Sequence, residues 1–320
     1  MTQLQWGLIG TGDIAEKRVA PALRELPECD LVAINRKRNE LAQEFADEFG
    51  ADRWYETWEE LLADDTLDAV YIATPVNLHA PITIAAAEAG KHILCEKPMA
   101  LNTEECNAMI DAAEENGVKL GVAYYRHFYP ILDRIKGLIA EGEIGHPVYA
   151  HVNAFEYFDR KPGEPRAWLL DKTQSGGGPM WDFGCHRIEV FQHLFGQLEE
   201  TTGLLDTLVF DREVEDTGTA IFRCESGTMA VLNVTHAASE PQDTLDIYGT
   251  RGSIHVPVLN GKSLEVKTTE RVWTEEHPPH PNVHWPLIKQ FTEAVLNDEE
   301  PVVGGDLGKA VNVALADLMS

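Results

Sequence analysis

The sequence predicts an α/β chain: a doubly wound parallel sheet first, then an α+β domain with a large open, mostly antiparallel sheet. Three observations carry this. Over the first 120 residues short apolar runs alternate with helical patterns, as crossover helices between parallel strands do. The first apolar run ends in a glycine-rich turn that opens a helix. From Pro147 on, strand-like runs follow one another with few helices between them, the texture of an antiparallel sheet.

Taken in order, strands are expected at Leu4–Ile9, Leu31–Ile34, Ala69–Ala73, His92–Cys95 and Lys119–Ala123. Helices are expected between them at Ile14–Leu26, Glu40–Phe49, Trp58–Ala63, His79–Ala89 and Thr103–Asn116, the last opened by Thr103 as cap. The texture changes near Ala123, so the expected domains are residues 1–123 and 124–320. The second carries helices at Phe128–Glu141, Cys185–Leu194, Trp285–Leu296 and Leu307–Leu318. Its strands are expected at Val148–Tyr157, Thr201–Phe210, Thr217–Cys224, Thr228–His236, Thr244–Tyr248, Ser253–Val256 and Ser263–Lys267.

Composition excludes several function classes. With 53 acidic residues against 26 lysines and arginines, the net charge is −27. Such a surface repels phosphate backbones and anionic membranes, so neither is expected as a partner. An acidic surface or a salt-adapted source accounts for it. No apolar run approaches the roughly 20 residues that span a bilayer. Met1 leads almost directly into the first strand without a basic n-region, which points to the cytoplasm. The five cysteines are scattered without a C-x-x-C pair, so they read as reduced thiols.

The glycine-rich turn is Gly10-Thr11-Gly12-Asp13-Ile14-Ala15. This spacing suits a pyrophosphate at a helix N-terminus: Gly10 for the tight turn, Gly12 for close backbone approach, Ala15 for helix packing. After strand and before helix it reads as dinucleotide binding, hence a Rossmann domain. The second strand ends in Asn35 where an acid would hold an NAD ribose, and Arg36, Lys37 and Arg38 follow. These cations would attract a 2′-phosphate, so NADP is favoured over NAD. Further on, Glu96-Lys97-Pro98 puts a lysine at the carboxyl end of an apolar strand, where α/β proteins hold ligands.

A third motif is Ser175-Gly176-Gly177-Gly178-Pro179-Met180-Trp181-Asp182-Phe183-Gly184-Cys185-His186. Asp182 and His186 are four apart and share a face at a helix start. Together the three motifs resemble the Gfo/Idh/MocA family, the glucose–fructose oxidoreductase and inositol dehydrogenase relatives, over nearly the whole chain. Glu189 stands where that family has aspartate. The resemblance implies a catalytic trio: His186 as general acid/base, Lys97 as electrostatic and proton-relay partner, Asp182 as orienter. The chemistry needs these types, since oxidising an alcohol removes a hydride and a proton. Thr74, Pro75, Asn77 and His79, with Glu96 and Lys97, are the cofactor-loop residues it implies. Arg126, followed two residues later by Phe128, matches an arginine often found there in the family; support of the active site is one reading and a structural ion pair the other, and Trp168 is a candidate to stack on a sugar. For Trp168 and Tyr157, core packing is the competing reading. His277, His280 and His284 lie in a proline-rich loop without a carboxylate pattern, so no metal is expected.

The resemblance thus implies NAD(P)-dependent hydride transfer to or from a sugar, cyclitol or related polyol. The alternative is a dinucleotide-binding sensor without turnover, against which the intact trio stands. A reductase of another carbonyl class is a third reading, and His186 weighs against it. The family also implies a homodimer or homotetramer through the open sheet face.

Overall fold

A computed structural model describes residues 3–36 and 39–319. Lys37 and Arg38 lie outside the described residues. The chain divides into two compact units, the first running to Tyr125 and including His280–Asn312, the second Arg126–Pro279 with the residues from Val313.

The first unit is built on β1 (Leu4–Ile9), β2 (Cys29–Asn35), β3 (Arg53–Tyr55), β4 (Ala69–Ile72), β5 (His92–Cys95) and β6 (Leu120–Val122). They form a six-stranded sheet in the order β3-β2-β1-β4-β5-β6, every pairing parallel. Strand order reverses between β1 and β4, the switch point where doubly wound sheets bind ligands. Helices cover the sheet, so β1 and β4 are buried almost without alternation. The helix Thr103–Glu115 is capped one residue earlier than expected: Asn102, not Thr103, accepts from the Glu105 N–H at 2.8 Å.

Residues 280–312 belong to this unit and not, as expected, to the second. The physical reason is packing. Phe291, on the helix Trp285–Asn297, lies 5.6 Å from the Trp6 ring. The Val122 N–H donates to Val303 O at 2.9 Å, and the Asn312 amide donates to Ala100 O at 2.7 Å.

The second unit contains β7 (Pro147–Tyr157), β8 (Leu198–Asp206), β9 (Thr217–Cys224), β10 (Met229–Thr235), β11 (Ala237–Gly249), β12 (Gly252–Val256), β13 (Ser263–Thr268) and β14 (Val272–Glu276). Their order is β14-β13-β12-β11-β7-β10-β9-β8. All pairings are antiparallel except β7 with β10. Side chains alternate: Val152, Phe222, Leu232 and Ile247 are buried, while Tyr149, Ile221 and Tyr248 on the other face are 39% exposed. The helix Cys185–Phe195 covers the buried face, with Phe191 5.9 Å from Phe222.

The strand expected at Thr201–Phe210 instead ends at Asp206. The Asp216 carboxylate accepts the N–H groups of Leu208, Val209 and Phe210 at 2.8–3.1 Å and curls that segment away from the sheet. Among the described residues no helix is long and apolar enough to cross a membrane, and the five cysteines are buried and form no disulfide.

Candidate functional site

In the first unit the candidate residues gather at the carboxyl ends of β1, β2, β4 and β5. Gly10 follows β1 at φ +88°, and a Cβ there would meet Ala73 O at 2.7 Å. No other residue type fits that turn without moving the backbone. A Cβ on Gly12 would meet nothing within 4 Å, so the space before the following helical turn is open. Thr11 and Thr74 each keep a buried hydroxyl without a hydrogen-bond partner among the described residues. An open, glycine-lined turn with two orphaned hydroxyls fits a nucleotide pyrophosphate. Asp13 is exposed and pairs with Lys17 at 2.5 Å, and Ile14 is half-buried.

Asn35, at the end of β2, donates its amide to Tyr55 O and Glu56 O at 3.3 and 3.0 Å. It therefore ties β2 to the segment after β3 and carries no negative charge. Arg36 follows, half-buried, its N–H on Tyr55 O. Asn77 is exposed and Pro75 half-buried in the loop after β4. His79 is fully buried, with one ring nitrogen 3.0 Å from Pro98 O and the other 3.0 Å from Thr74 O. It joins the loops after β4 and β5. Burial pushes its pKa down, while the two carbonyl contacts work in the opposite direction.

Glu96 anchors the end of β5. Burial works against its charge, but hydrogen bonds from His284 and Tyr71, with Lys97 nearby, hold its carboxyl below the usual range. Tyr71 donates to it at 2.8 Å, His284 lies 3.3 Å away, and the Lys97 N–H donates at 3.2 Å. His284 is thus this carboxylate's partner, and it packs on Tyr125 at 4.6 Å. Lys97 is half-buried, and its peptide bond to Pro98 is cis.

In the second unit Asp182 lies in a π-helical turn, Met180–Gly184, that runs directly into the helix bearing the buried His186. Such turns recur at functional sites. The glycine run makes the approach feasible: a Cβ on Gly178 would sit 1.9 Å from Glu215 O. The Glu215 carboxylate accepts the N–H groups of Gly178 and Met180 at 2.7 and 3.2 Å and so fixes the turn. Arg166, in left-handed backbone at φ +66°, donates to Asp182 Oδ2 at 3.0 Å.

His236 Nε2 lies 3.8 Å from the same oxygen and 3.6 Å from Glu156 Oε1. Glu156, Asp182 and His236 are close enough to suggest a cation site. Arg212 argues against one: its guanidinium, which can only donate, lies 3.1 Å from His236 Nδ1. That nitrogen must accept, so Nε2 carries the proton and faces the two carboxylates. Arg166, His236, Arg212, Glu215 and Glu156 were not found from the sequence. Each comes from a different segment, and no spacing marks them.

Arg126 is buried in the helical turn Tyr125–Phe128, and Trp168 is half-buried in the turn Ala167–Leu170. Tyr157, weighed as core, is 63% exposed and meets Phe210 edge-on at 5.7 Å. Glu189 is buried one turn after His186 and pairs with His127 at 2.6 Å.

The comparisons agree with this geometry. An oxidoreductase family model described as an NAD-binding Rossmann fold matches residues 4–124. The model of the GFO/IDH/MocA C-terminal domain matches residues 132–255. A D-xylose 1-dehydrogenase (NADP(+)) of Haloferax volcanii is 31% identical, across 94% of this chain and 91% of its own. A 1,5-anhydro-D-fructose reductase of Ensifer adhaerens is 29% identical, across 95% and 92%. A solved levoglucosan dehydrogenase, in complex with NADH and levoglucosan, superposes with a TM-score of 0.90 at 27% identity, covering 99% of this chain and 96% of that one. With a glycine-rich turn after β1 and both family domains in order, the chain belongs to the Gfo/Idh/MocA family of NAD(P)-dependent oxidoreductases.

Proposed function

We propose that this enzyme transfers a hydride between a nicotinamide dinucleotide, preferably NADP, and a sugar, cyclitol or related polyol. The observation that supports this most is the anchoring of Asp182. Arg166 fixes one of its oxygens and Glu215 fixes its turn, just before His186. A fixed carboxylate next to a histidine suits the orientation of vicinal hydroxyls. The names of the sugar-converting relatives point the same way.

The nicotinamide, when bound, supplies the hydride acceptor or donor. In the oxidising direction His186 takes the hydroxyl proton as the carbon gives up its hydride, and Lys97 stabilises the developing alkoxide. Asp182 orients the substrate. Thr11 and Thr74 offer their hydroxyls to the dinucleotide, and His79 acts by holding the loops after β4 and β5 together. Preference for NADP rests on Asn35, which is uncharged, and on Arg36; the NADP(+) of the xylose dehydrogenase's name agrees. Assembly as a homodimer or homotetramer would cover Tyr149, Ile221 and Tyr248 on the open sheet face.

The test combines fluorescence titration of NADPH and NADH with a turnover screen over sugars and polyols. NADPH should bind more tightly. Lys97→Ala should cut turnover about 10²–10³-fold and His186→Ala about 10²–10⁴-fold, both with NADPH affinity retained. A wild-type protein that binds nucleotide but turns over no polyol would establish the sensor reading instead.

A further inference from the structure

We propose that His127, Glu189 and His193 bind one divalent transition-metal ion of the zinc or cobalt class within the second unit. The site goes beyond the hydride-transfer reading and does not depend on it. Glu189 and His193 are four apart on the helix Cys185–Phe195 and so share a face. His127 reaches them from the turn Tyr125–Phe128. One donor atom from each residue lies within 4.8 Å of the other two. His127 Nδ1 is 2.6 Å from Glu189 Oε1, and the two imidazoles lie 3.9 Å apart, inclined at 58°.

Two further observations point to a ligand. Glu189 is 0% exposed, yet its Oε2 has no hydrogen-bond partner among the described residues. The same holds for His193 Nε2. A buried carboxylate is costly unless neutralised, and a cation at this point would serve both orphaned atoms.

The donor set names the ion. Two imidazole nitrogens and one carboxylate oxygen suit zinc, cobalt or nickel, while calcium and magnesium prefer all-oxygen shells. Ligand atoms around zinc lie about 2.0–2.2 Å from it. Small side-chain rotations would bring a group within 4.8 Å to that arrangement, leaving a fourth position for water. The charges facing the group are mixed. Arg126 and Lys136 act on Glu189, and Asp133 interacts with His127. Lys136 and Asp133 are exposed, where water screens them. Bound there, the ion would clamp the helix that carries His186 to the turn that carries His127.

The competing explanation is a plain His127–Glu189 ion pair. Chelator-treated full-length protein is titrated with Co2+ and followed by visible absorption, then with Zn2+ as competitor. One Co2+ per chain with ligand-field bands, displaced by Zn2+, is expected. His193→Ala and Glu189→Gln should each weaken binding at least about 10-fold, as loss of a ligand or its support does. X-ray absorption of the Co2+ form should show nitrogen and oxygen neighbours only, which keeps the test valid if Glu189→Gln fails to fold. No stoichiometric uptake, uptake unchanged in His193→Ala, or sulfur neighbours would each overturn the site.

Discussion

Gly10, Thr11 and Thr74 present backbone and hydroxyl groups at strand ends, whereas Asp182 stands in a chain of charged side chains, Arg166, His236 and Arg212 among them. The first arrangement depends on what is missing: a Cβ at Gly10 would strike Ala73 O, and a side chain at Gly12 would fill the open space. The second depends on what is present, since each partner holds the next. The cradle should therefore fail when atoms are added, and the Asp182 region when they are removed.

The largest expected effect tests the first half of that contrast. Gly10→Ala forces a left-handed residue at φ +88° and a contact of 2.7 Å with a carbonyl. Strain of this kind costs about 1–3 kcal/mol, so nucleotide affinity should drop roughly 10–100-fold. Calorimetric titration with NADPH measures it. Undiminished binding would show that the turn is not the cradle.

A smaller effect tests the second half. His236→Phe keeps a ring beside Phe158 and Phe183 but removes the proton that faces Asp182 and Glu156. Arg212 still donates to Phe158 O and Glu215 O, so the fold should hold. A lost polar contact of this kind costs about 0.5–1.5 kcal/mol, so activity should fall roughly 2–10-fold. The drop should fall on kcat/KM and shift its pH profile, with NADPH affinity unchanged. A shifted profile separates positioning of Asp182 from mere packing; an unshifted one assigns His236 to structure.

The same contrast explains what the sequence made legible. Gly10–Ala15, Glu96-Lys97-Pro98 and Asp182-x-x-x-His186 are contiguous, so a backbone geometry or a helical spacing shows in a few letters. Arg166, His236 and Arg212 come from separate segments and meet only after β7, β10 and the glycine run have paired. Asn35 is visible in the sequence as an uncharged residue, but its bonds to Tyr55 O and Glu56 O depend on β3, a three-residue strand too short to show a period. β14 escaped because it is a half-exposed edge with polar residues. The helix Trp285–Asn297 was expected, but its amphipathic pattern cannot say which sheet it covers; Trp6 decides that. Glu189 and His193, four apart, drew no metal reading from the sequence, and no spacing ties His127 to them.

The smallest expected effect concerns acid. Among the described residues of the first unit the clearly shifted carboxylates and histidines are all shifted down: His79 and His92 by burial, Glu96 and Asp64 by hydrogen bonds that outweigh burial. A group whose pKa is depressed in the folded state adds stability above its unfolded value and loses it as pH falls toward the folded one. For the histidines that loss begins near pH 6.5 and for the carboxylates near pH 4. The second unit carries both signs. Burial raises Glu189 and Glu215, which favours the folded state on acidification. Asp216, Glu275 (lowered to about 2, chiefly by Arg134) and His193 oppose them. Between pH 7 and 4 the first unit should therefore lose protection steadily and the second change less. Hydrogen exchange by mass spectrometry, corrected for intrinsic rates, reads the two units separately. Earlier loss in the strands of the second unit would break the comparison at its electrostatic root, because the buried carboxylates Glu189 and Glu215 would then have to be ionised and unsupported at neutral pH.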